Sequence, residues 1–397
     1  MTDFVGDLKG LPDSEPPLDA PANAVQERTI EEIKVEAQAR AERNGYPMIG
    51  LDPSDVRNAL EKIHTREPEE WAAGWSAVAH QYEELGGTSR SGEERRKNYL
   101  RAWRLYHFAQ WPVATCEGKR AAYGKALECF LNGAKSLDPP LEVVRIPFEG
   151  NEIIGYLRLP KSERPVPLVL AISGLDSRKE NLANTYDALI EAGVGYLAVD
   201  GPGTGQSPIK AGPRADRIFS RALDYLATRK EIDPQRILAH GVSFGGYWAS
   251  KLAIVEKERL HAAVVLSPPV HRAFQADFLR KSLFGNREYL FDQVPAFLNV
   301  WENTSSMDDL AQRSPHVSLQ ALGLLDKPMV PMLVVAGAKD TQVPFSDIAL
   351  LLGSGQGPKE AWINSGGGHL GRDANRWSDP VIFRGVIVPW VMRALTG

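Results

Sequence analysis

A glycine-flanked serine constrains the fold of this chain more than any other sequence feature. Residues 241–246 follow the pattern G-x-S-x-G-G, with Ser243 at its centre. A strand-like apolar segment, 236–240, precedes the pattern, and a helix-like segment, 247–254, follows it. Side chains on both sides of the serine would collide across a sharp strand-to-helix turn, so such a turn needs glycine there. The pattern predicts a nucleophile elbow that exposes Ser243 at the end of a strand. The alternative interpretation is an ordinary glycine-rich turn.

Composition and charge are those of an ordinary globular protein. Of the 397 residues, 43% are hydrophobic and 24% are charged, and the length suggests two domains or one large domain with a cap. The net charge of −4 gives no reason to expect nucleic acid or an anionic membrane as a partner. Two cysteines, Cys116 and Cys129, do not make a disulfide framework, so we expect a cytoplasmic protein.

Targeting and cofactor motifs are missing from the sequence. The segment MTDFVGDLKG at the start lacks the basic residues and the apolar core of a signal peptide. No apolar run reaches the roughly 18 residues that a membrane helix needs. The histidines and cysteines lack the spacing of a metal site. We therefore expect no membrane association, no metal and no cofactor.

The first third of the chain predicts a loose arm followed by a helical domain. Residues 1–25 carry prolines among acidic and small residues, which predicts a disordered arm. Residues 26–138 show helical periodicity without a strand pattern, which predicts a helical cap domain. Thr29 and Glu32 form a capping-box pair at its start. Further helices are predicted after Pro68, after Ser91 and over 118–135.

Aromatic stripes run along the predicted helices of this cap. Core packing inside the cap is the simplest interpretation. A cap must also close over something, however, and we expect this one to close over the catalytic serine, with some of its aromatic residues facing a substrate. The candidates for substrate contact are Tyr99, Trp103 and His107.

Beyond Pro139 the pattern changes to short strands that alternate with helices. The first two strands form a hairpin, and the continuous apolar runs of the later strands are typical of parallel strands buried on both faces. Residues 139–397 are therefore predicted to be an α/β catalytic domain, with a mostly parallel sheet and helices on both faces. Strands are predicted at 141–148, 152–159, 167–172, 195–199, 236–240, 261–266, 331–336 and 359–363, and helices at 180–192, 214–229, 244–257, 344–352 and 379–395.

An insertion rich in aromatic residues interrupts this domain at 270–325. It predicts a helical lid over Ser243. Packing of the lid on the cap explains the same aromatic residues nearly as well.

The partners of a nucleophilic serine follow later strands in such a sheet, in the order serine, acid, histidine. Asp340 follows the seventh predicted strand, and His369 follows the eighth through a glycine loop. The strand that ends at Leu266 is followed by no carboxylate before Asp277. A capped turn or a surface loop explains each residue alone, but their joint placement favours a triad of Ser243, Asp340 and His369.

Two backbone amides are the candidates for an oxyanion hole. One belongs to Phe244, directly after the serine, and the other to Leu175, where Gly174 lets the loop after the third strand turn. A second glycine cluster, 201–207, lacks the Lys-Ser/Thr ending of a phosphate-binding loop and is interpreted as a tight turn. His240, before the elbow, is interpreted as structural.

Three motifs carry a resemblance to a known subfamily. They read S-G-L-D-S-R-K-E at 173–180, D-G-P-G-T-G at 200–205 and G-V-S-F-G-G-Y at 241–247. Together with the helical N-terminal region they resemble the α/β-hydrolase subfamily of 2,6-dihydroxypseudooxynicotine hydrolase. Fungal polyketide chain-shortening hydrolases of the yellowish-green pigment type and FrsA-like esterases are similar. The resemblance covers about residues 65–397 and implies an α/β-hydrolase fold with an all-helical N-terminal cap.

Members of this subfamily include serine hydrolases that cleave a carbon–carbon bond beside a ketone on an electron-rich aromatic ring. The resemblance implies Ser243, Asp340 and His369 as the triad, in agreement with the prediction from the residues. It also implies an additional acidic residue in the substrate pocket, for which Asp277 and Glu302 are the candidates.

The predicted activity is acyl transfer to Ser243 from a small aromatic or polyketide-like substrate, with cleavage of a carbon–carbon bond as the leading hypothesis. A carboxylesterase, lactonase or amide hydrolase is the first alternative. The second is a non-catalytic binding or regulatory protein on a hydrolase fold. A cap that only mediates contacts between two copies is also compatible with the sequence, so a homodimer is a further expectation.

Overall fold

The computed structural model of the protein describes residues 28–291, 293–374 and 376–396. The arm predicted at 1–25 lies outside these residues. Among the helices of the described segments, none combines the length and the apolarity that a bilayer crossing requires.

The described residues form two compact units. The helical unit contains the residues up to Leu141 together with Arg287–Asn299. The α/β unit contains Glu142–Asn286 and the residues from Val300 onward. The segment predicted as a lid, 270–325, is therefore divided, because its middle part groups with the helical unit.

The helical unit begins with the predicted capping box. The Thr29 hydroxyl accepts a hydrogen bond from the Glu32 amide at 3.2 Å, and the Glu32 carboxylate accepts one from the Thr29 amide at 2.8 Å. One helix is missing from the sequence prediction: it begins at Pro53 behind the N-cap Asp52, and its eight residues are too few for a clear periodic pattern. The helices are α1 (Ile30–Glu42), α2 (Pro53–Leu60), α3 (Pro68–Thr88), α4 (Gly92–Ala109) and α5 (Glu117–Ala134).

Aromatic rings form the core of this unit. The Trp75 and Phe108 ring centroids on α3 and α4 are 4.6 Å apart, and the Trp71 centroid lies 5.7 Å from that of Phe108. Phe291, from the segment Arg287–Asn299, packs edge-on against Trp71 at 4.5 Å. The segment therefore joins the helical unit through its aromatic core.

One eight-stranded sheet forms the centre of the α/β unit, and all eight predicted strands are present. They are β1 (Glu142–Phe148), β2 (Asn151–Arg158), β3 (Val166–Ile172), β4 (Gly195–Val199), β5 (Ile232–Val242), β6 (Ala262–Leu266), β7 (Met332–Gly337) and β8 (Lys359–Asn364). Their order is β1-β2-β4-β3-β5-β6-β7-β8. β1 and β2 pair in antiparallel fashion, as do β2 and β4, and the other neighbours are parallel.

Two of the predicted helices are interrupted. The helix predicted at 180–192 breaks at Tyr186, whose buried hydroxyl is hydrogen-bonded to His240 Nδ1. In the helix predicted at 379–395, a π-helical turn, Phe383–Ile387, separates two α-helices. The helices that follow α5 are α6 (Lys179–Thr185), α7 (Asp187–Glu191), α8 (Arg217–Thr228), α9 (Phe244–Val255), α10 (Ala276–Gly285), α11 (Gln293–Val300), α12 (Met307–Arg313), α13 (Phe345–Gly353), α14 (Asp379–Ile382) and α15 (Val388–Thr396).

The parallel strands bring their carboxyl ends to one edge of the sheet. β3, β5, β6, β7 and β8 are consecutive neighbours there, so the loops that follow them lie side by side. Strands β3, β6 and β7 are buried along almost their whole length, which anchors these loops on a rigid support.

Candidate active site

Ser243 occupies a strained turn between β5 and α9. Its backbone has φ 52° and ψ −119°, a conformation that non-glycine residues rarely adopt. A Cβ at Gly241 would lie 2.0 Å from the carbonyl oxygen of Gly245, and a Cβ at Gly245 would lie 2.3 Å from that of Ile172. The glycines are required because backbone segments fill the space of their missing side chains. The turn has the geometry of a nucleophile elbow.

An acid–histidine pair lies at the ends of β7 and β8. Asp340 Oδ2 and His369 Nδ1 are 2.8 Å apart, and both side chains are almost completely buried. The other carboxylate oxygen of Asp340 accepts hydrogen bonds from the amides of Gln342 and Val343 at 2.9 and 3.0 Å. With Nδ1 protonated toward Asp340, Nε2 of the neutral imidazole is left as the proton acceptor.

The charge of Asp340 is stabilised despite its burial. Burial alone would raise the pKa of this carboxyl, but the attraction of His369 and the hydrogen bonds from His369, Val343 and Ser267 outweigh it and lower the pKa. Asp340 is therefore an anion at neutral pH and can stabilise a positive charge on the imidazole.

Ser267, directly after β6, connects the acid and the histidine loop. Its side chain is fully buried, its φ is 42°, and its hydroxyl accepts a hydrogen bond from the Leu370 amide at 2.9 Å. The same side chain is hydrogen-bonded to Asp340. In the sequence, the segment after this strand was notable only for its lack of a carboxylate. A serine that ends a buried strand beside the elbow is the signal that would have identified it.

The loop between β3 and α6 approaches the elbow closely. A Cβ at Gly174 would lie 3.1 Å from the carbonyl oxygen of Val242 and 3.5 Å from Ser243 Cβ. The Leu175 amide donates to no acceptor within the residues that the structure describes. The Phe244 amide is the first of α9 and has no acceptor inside the helix. The two predicted oxyanion donors thus lie on segments adjacent to Ser243.

An aromatic cluster surrounds Phe244. Its ring centroid lies 5.6 Å from that of Trp248, 5.9 Å from that of Trp301 and 6.4 Å from that of Phe274. These side chains are nearly or fully buried. An apolar aromatic wall therefore begins at the residue after Ser243.

The two predicted acidic pocket residues, Asp277 and Glu302, both lie in the α/β unit, which also contains Ser243. Asp277, on α10, forms an ion pair with Arg272 at 2.6 Å, and its side chain is largely exposed. The Glu302 carboxylate covers Gly212, where an added Cβ would lie 2.1 Å from Glu302 Oε1. Their roles toward a substrate stay predictions.

The three candidates on the cap lie in the helical unit. Trp103 is buried, and its ring centroid lies 5.3 Å from that of Phe130 and 6.3 Å from that of His107. The Tyr99 ring packs against Gly86, where an added Cβ would lie 2.9 Å from it. Packing inside the unit accounts for Trp103 and Tyr99, and a role of these residues in substrate binding also stays a prediction.

His240 and the glycine cluster are placed as predicted. His240 is buried on β5, the strand that leads into the elbow, and burial lowers its pKa to about 3, so it remains neutral. The cluster at 201–207 forms tight turns, with hydrogen bonds from the Thr204 amide to the Gly201 carbonyl and from the Ser207 amide to the Thr204 carbonyl. Within the described residues, no three histidine, cysteine or acidic side chains are grouped as metal ligands.

An elbow of this kind after β5, in a mostly parallel sheet of this order, places the chain among the α/β-hydrolases. The sequence profile of the esterase FrsA-like family matches residues 58–367. The chain belongs to this family and is a hydrolase, as the resemblance implied.

Known relatives agree with this assignment. The chain is 25% identical over 324 residues to esterase FrsA of Vibrio vulnificus (strain YJ016), which covers 75% of each chain. It is 26% identical over 275 residues to α/β-hydrolase xenA of Xenoacremonium sinensis, covering 64% of this chain and 61% of the relative. Among solved structures, that of 2,6-dihydroxy-pseudo-oxynicotine hydrolase superposes with a TM-score of 0.71 at 19% identity, covering 91% of this chain and 95% of the other. This last likeness shows a common fold.

Proposed function

We propose that the protein is a serine hydrolase with a Ser243–His369–Asp340 triad, and that it cleaves a carbon–carbon bond next to a ketone on a small aromatic or polyketide-like substrate. The observation that carries the triad is the buried 2.8 Å contact between His369 Nδ1 and Asp340 Oδ2 at the edge of the sheet that also carries the Ser243 elbow. A buried histidine fixed in this tautomer has one free nitrogen, which suits it to serve as a base.

The first half-reaction forms an acyl-enzyme. His369 Nε2 takes the proton of the Ser243 hydroxyl while Oγ attacks the carbonyl carbon of the substrate. The resulting oxyanion accepts hydrogen bonds from the amides of Phe244 and Leu175, and each donor contributes about 3 kcal/mol to the stabilisation of the transition state. Asp340 stabilises the imidazolium without taking its proton.

Collapse of the tetrahedral intermediate breaks the bond to the leaving group. For an aryl ketone, this is the bond between the carbonyl carbon and the ring, and the protonated His369 delivers its proton to the ring carbon. An electron-rich ring makes that step possible because its ring carbon is basic enough to accept the proton from His369 as the bond to the carbonyl carbon breaks. Water, deprotonated by His369, then releases the acid and regenerates Ser243.

Three considerations support an aromatic substrate and carbon–carbon cleavage. Phe244, the residue after the serine, belongs to a cluster of packed aromatic rings, an environment that suits an aromatic substrate. The fold neighbour with a TM-score of 0.71 is named as a hydrolase of 2,6-dihydroxy-pseudo-oxynicotine. The sequence motifs resemble a subfamily that includes such enzymes.

A carboxylesterase is the second candidate function, and the family description favours it. The relative from Vibrio vulnificus is named an esterase. The same triad, oxyanion amides and acyl-enzyme serve an ester, and only the atom that His369 protonates differs, being oxygen in place of carbon.

A matched pair of substrates separates the two functions. Aryl ketones and aryl esters that share one acyl group and one electron-rich ring are assayed side by side, with product analysis by chromatography. We expect the ketone to be cleaved to the free arene and the acid, and Ser243→Ala to abolish this. Ser250→Ala is the control, since the buried Ser250 hydroxyl donates within its own helix, to the Gly246 carbonyl. Ester turnover without ketone turnover would establish the esterase instead.

A further inference from the structure

A buried ion cluster joins two of the sequence motifs through residues that take no part in the proposed reaction. The cluster consists of Lys179, Glu180 and Asp200, whose side chains are at most 3% exposed. Lys179 Nζ lies 3.0 Å from Asp200 Oδ2 and 2.7 Å from Glu180 Oε1. Lys179 and Glu180 end the motif at 173–180, and Asp200 begins the motif at 200–205.

The chain is built closely around the Asp200 carboxylate. Besides the ammonium group, it accepts hydrogen bonds from the amides of Lys179 and Gln206, both at 2.9 Å. Gly205 has φ 49°, and a Cβ there would lie 2.3 Å from Asp200 Cγ. This glycine is needed because the turn wraps directly over the carboxylate. Burying charged groups is costly unless they are paired and fully hydrogen-bonded, so an arrangement of this kind calls for an explanation.

Asp200 and its neighbours fix both ends of the loop at 173–178. At the first end, the Ser173 amide donates to the Val199 carbonyl at 3.2 Å, and the Ser173 hydroxyl accepts from the Gly201 amide at 3.1 Å. At the second end, the Lys179 amide donates to Asp200. Both ends of the loop are therefore hydrogen-bonded to the end of β4 and the residues directly after it.

Hydrogen bonds between its own residues also stabilise the middle of the loop. The Arg178 guanidinium, itself buried, donates to the carbonyls of Leu175 and Ser177 at 3.1 and 2.7 Å. The Gly174 amide donates to the Ser177 hydroxyl at 2.8 Å. Among the described residues the Leu175 amide donates to no acceptor, and it lies on a loop whose Gly174 approaches Ser243.

We infer that Lys179 and Asp200 are positioning residues for the oxyanion hole: the buried ion cluster holds the 173–178 loop so that the Leu175 amide points at the carbonyl oxygen of the bound substrate. This inference rests on the proposed function, in which Leu175 and Ser243 act on that carbonyl. The cluster touches no reacting atom. It acts through the position of one backbone amide.

The two carboxylates of the cluster have different roles. Burial raises the pKa of Glu180, whereas the Asp200 carboxylate accepts the backbone hydrogen bonds from Lys179 and Gln206 that hold the loop. The hydrogen bonds that fix the loop are therefore those of Asp200, with the Lys179 ammonium 3.0 Å from the same carboxylate. Glu180→Gln therefore keeps the arrangement, whereas Lys179→Met and Asp200→Asn disrupt it.

The test measures the affinity of an oxyanion mimic. The serine nucleophile adds reversibly to an aryl trifluoromethyl ketone, and the adduct places an oxyanion in the oxyanion hole. The inhibition constant therefore reports directly how strongly the hole stabilises an oxyanion. We expect Lys179→Met and Asp200→Asn to raise this inhibition constant about 100-fold. On an activated aryl ester they should lower kcat to a similar extent, with KM little changed. Glu180→Gln changes these values less than about threefold.

Lys251→Met is the matched control. Lys251 is also buried, and its ammonium pairs with Asp216 at 2.7 Å and with the Pro213 carbonyl, neither of which belongs to the 173–178 loop. Loss of the Lys251 ammonium should lower the melting temperature without weakening the binding of the trifluoromethyl ketone. A merely structural ion cluster would make Lys179→Met behave in the same way, which would overturn the inference.

Fluorophosphonate labelling separates this inference from the proposed function. If the wild-type protein is not labelled at Ser243, the proposed function fails. If it is labelled and Lys179→Met binds the trifluoromethyl ketone as well as wild type does, the positioning role alone fails. Unfolding of both Lys179→Met and Asp200→Asn would assign the cluster to the stability of the sheet and would also contradict the positioning role.

Discussion

The hydroxyl of Ser267 accepts a hydrogen bond from the amide of Leu370, at 2.9 Å, while the same side chain is hydrogen-bonded to the carboxylate of Asp340. Leu370 directly follows His369 and has a φ of 63°. One buried hydroxyl therefore ties the end of β6 to both the acid and the loop that carries the base.

Removal of this hydroxyl should loosen the acid–base pair. For Ser267→Ala we expect kcat to fall about 10- to 100-fold, because hydrogen bonds to charged groups are worth about 1.5–3 kcal/mol. Steady-state kinetics and thermal unfolding measure the effect. Ser250→Ala should lose little activity, and equal losses in the two variants would show that the effect comes from burial of a serine and not from Ser267.

The identity of the acid is tested by exchanging two carboxylates for amides. Asp340→Asn should reduce kcat by about 10⁴ with little change in structure, because the amide favours the wrong tautomer of His369. Asp277→Asn should cost far less, because its carboxylate is largely exposed and paired with Arg272. The reverse ranking would move the acid to the strand that precedes Asp277.

Acid stability should also depend on Asp340. Its pKa is lowered in the folded protein, so its contribution to the free energy of unfolding is fully present above the unfolded value of about 3.9 and is lost as the pH falls through the folded value. The difference in unfolding free energy between wild type and Asp340→Asn should therefore shrink on acidification below about pH 4. Urea unfolding across this range measures it, and a difference that grows on acidification is incompatible with a lowered pKa.

The elbow glycines should tolerate no side chain. Gly245→Ala places a methyl group 2.3 Å from the Ile172 carbonyl oxygen, so we expect loss of activity and a much lower melting temperature. Gly124→Ala, in α5, meets no atom within 4 Å and should stabilise the protein by about 0.5–1 kcal/mol. If Gly245→Ala kept wild-type activity, the turn could not be as tight as described.

Much of the α/β unit was predictable because its strands are apolar runs with distinct boundaries. The elbow has a specific glycine pattern, and the residues after β7 and β8 include one aspartate and one histidine at the expected places. Parallel sheet topology brings these loops together, so their proximity followed from chain order.

Other features depend on tertiary contacts that no local pattern reveals. Helix α2 is too short for a periodic signal. For the insertion that contains Phe291, a lid over Ser243 and packing on the cap explained the aromatic residues nearly equally well. The Phe291 ring packs with Trp71, and nothing in the local sequence distinguishes the two partners. Ser267 lies between a buried strand and two prolines, and only the fold brings its hydroxyl to Asp340. The pairing of Lys179 with Asp200 joins residues 21 apart in sequence.

The central claim is that Ser243 is the nucleophile. The most direct measurement is peptide mass spectrometry of the protein after reaction with a fluorophosphonate, with loss of esterase activity followed in parallel. We predict one phosphonyl group per chain, on the peptide that contains Ser243, formed in step with inactivation, and no labelling of Ser243→Ala. An active preparation that is inactivated by modification of another residue, or that stays active with Ser243 fully modified, would contradict the account.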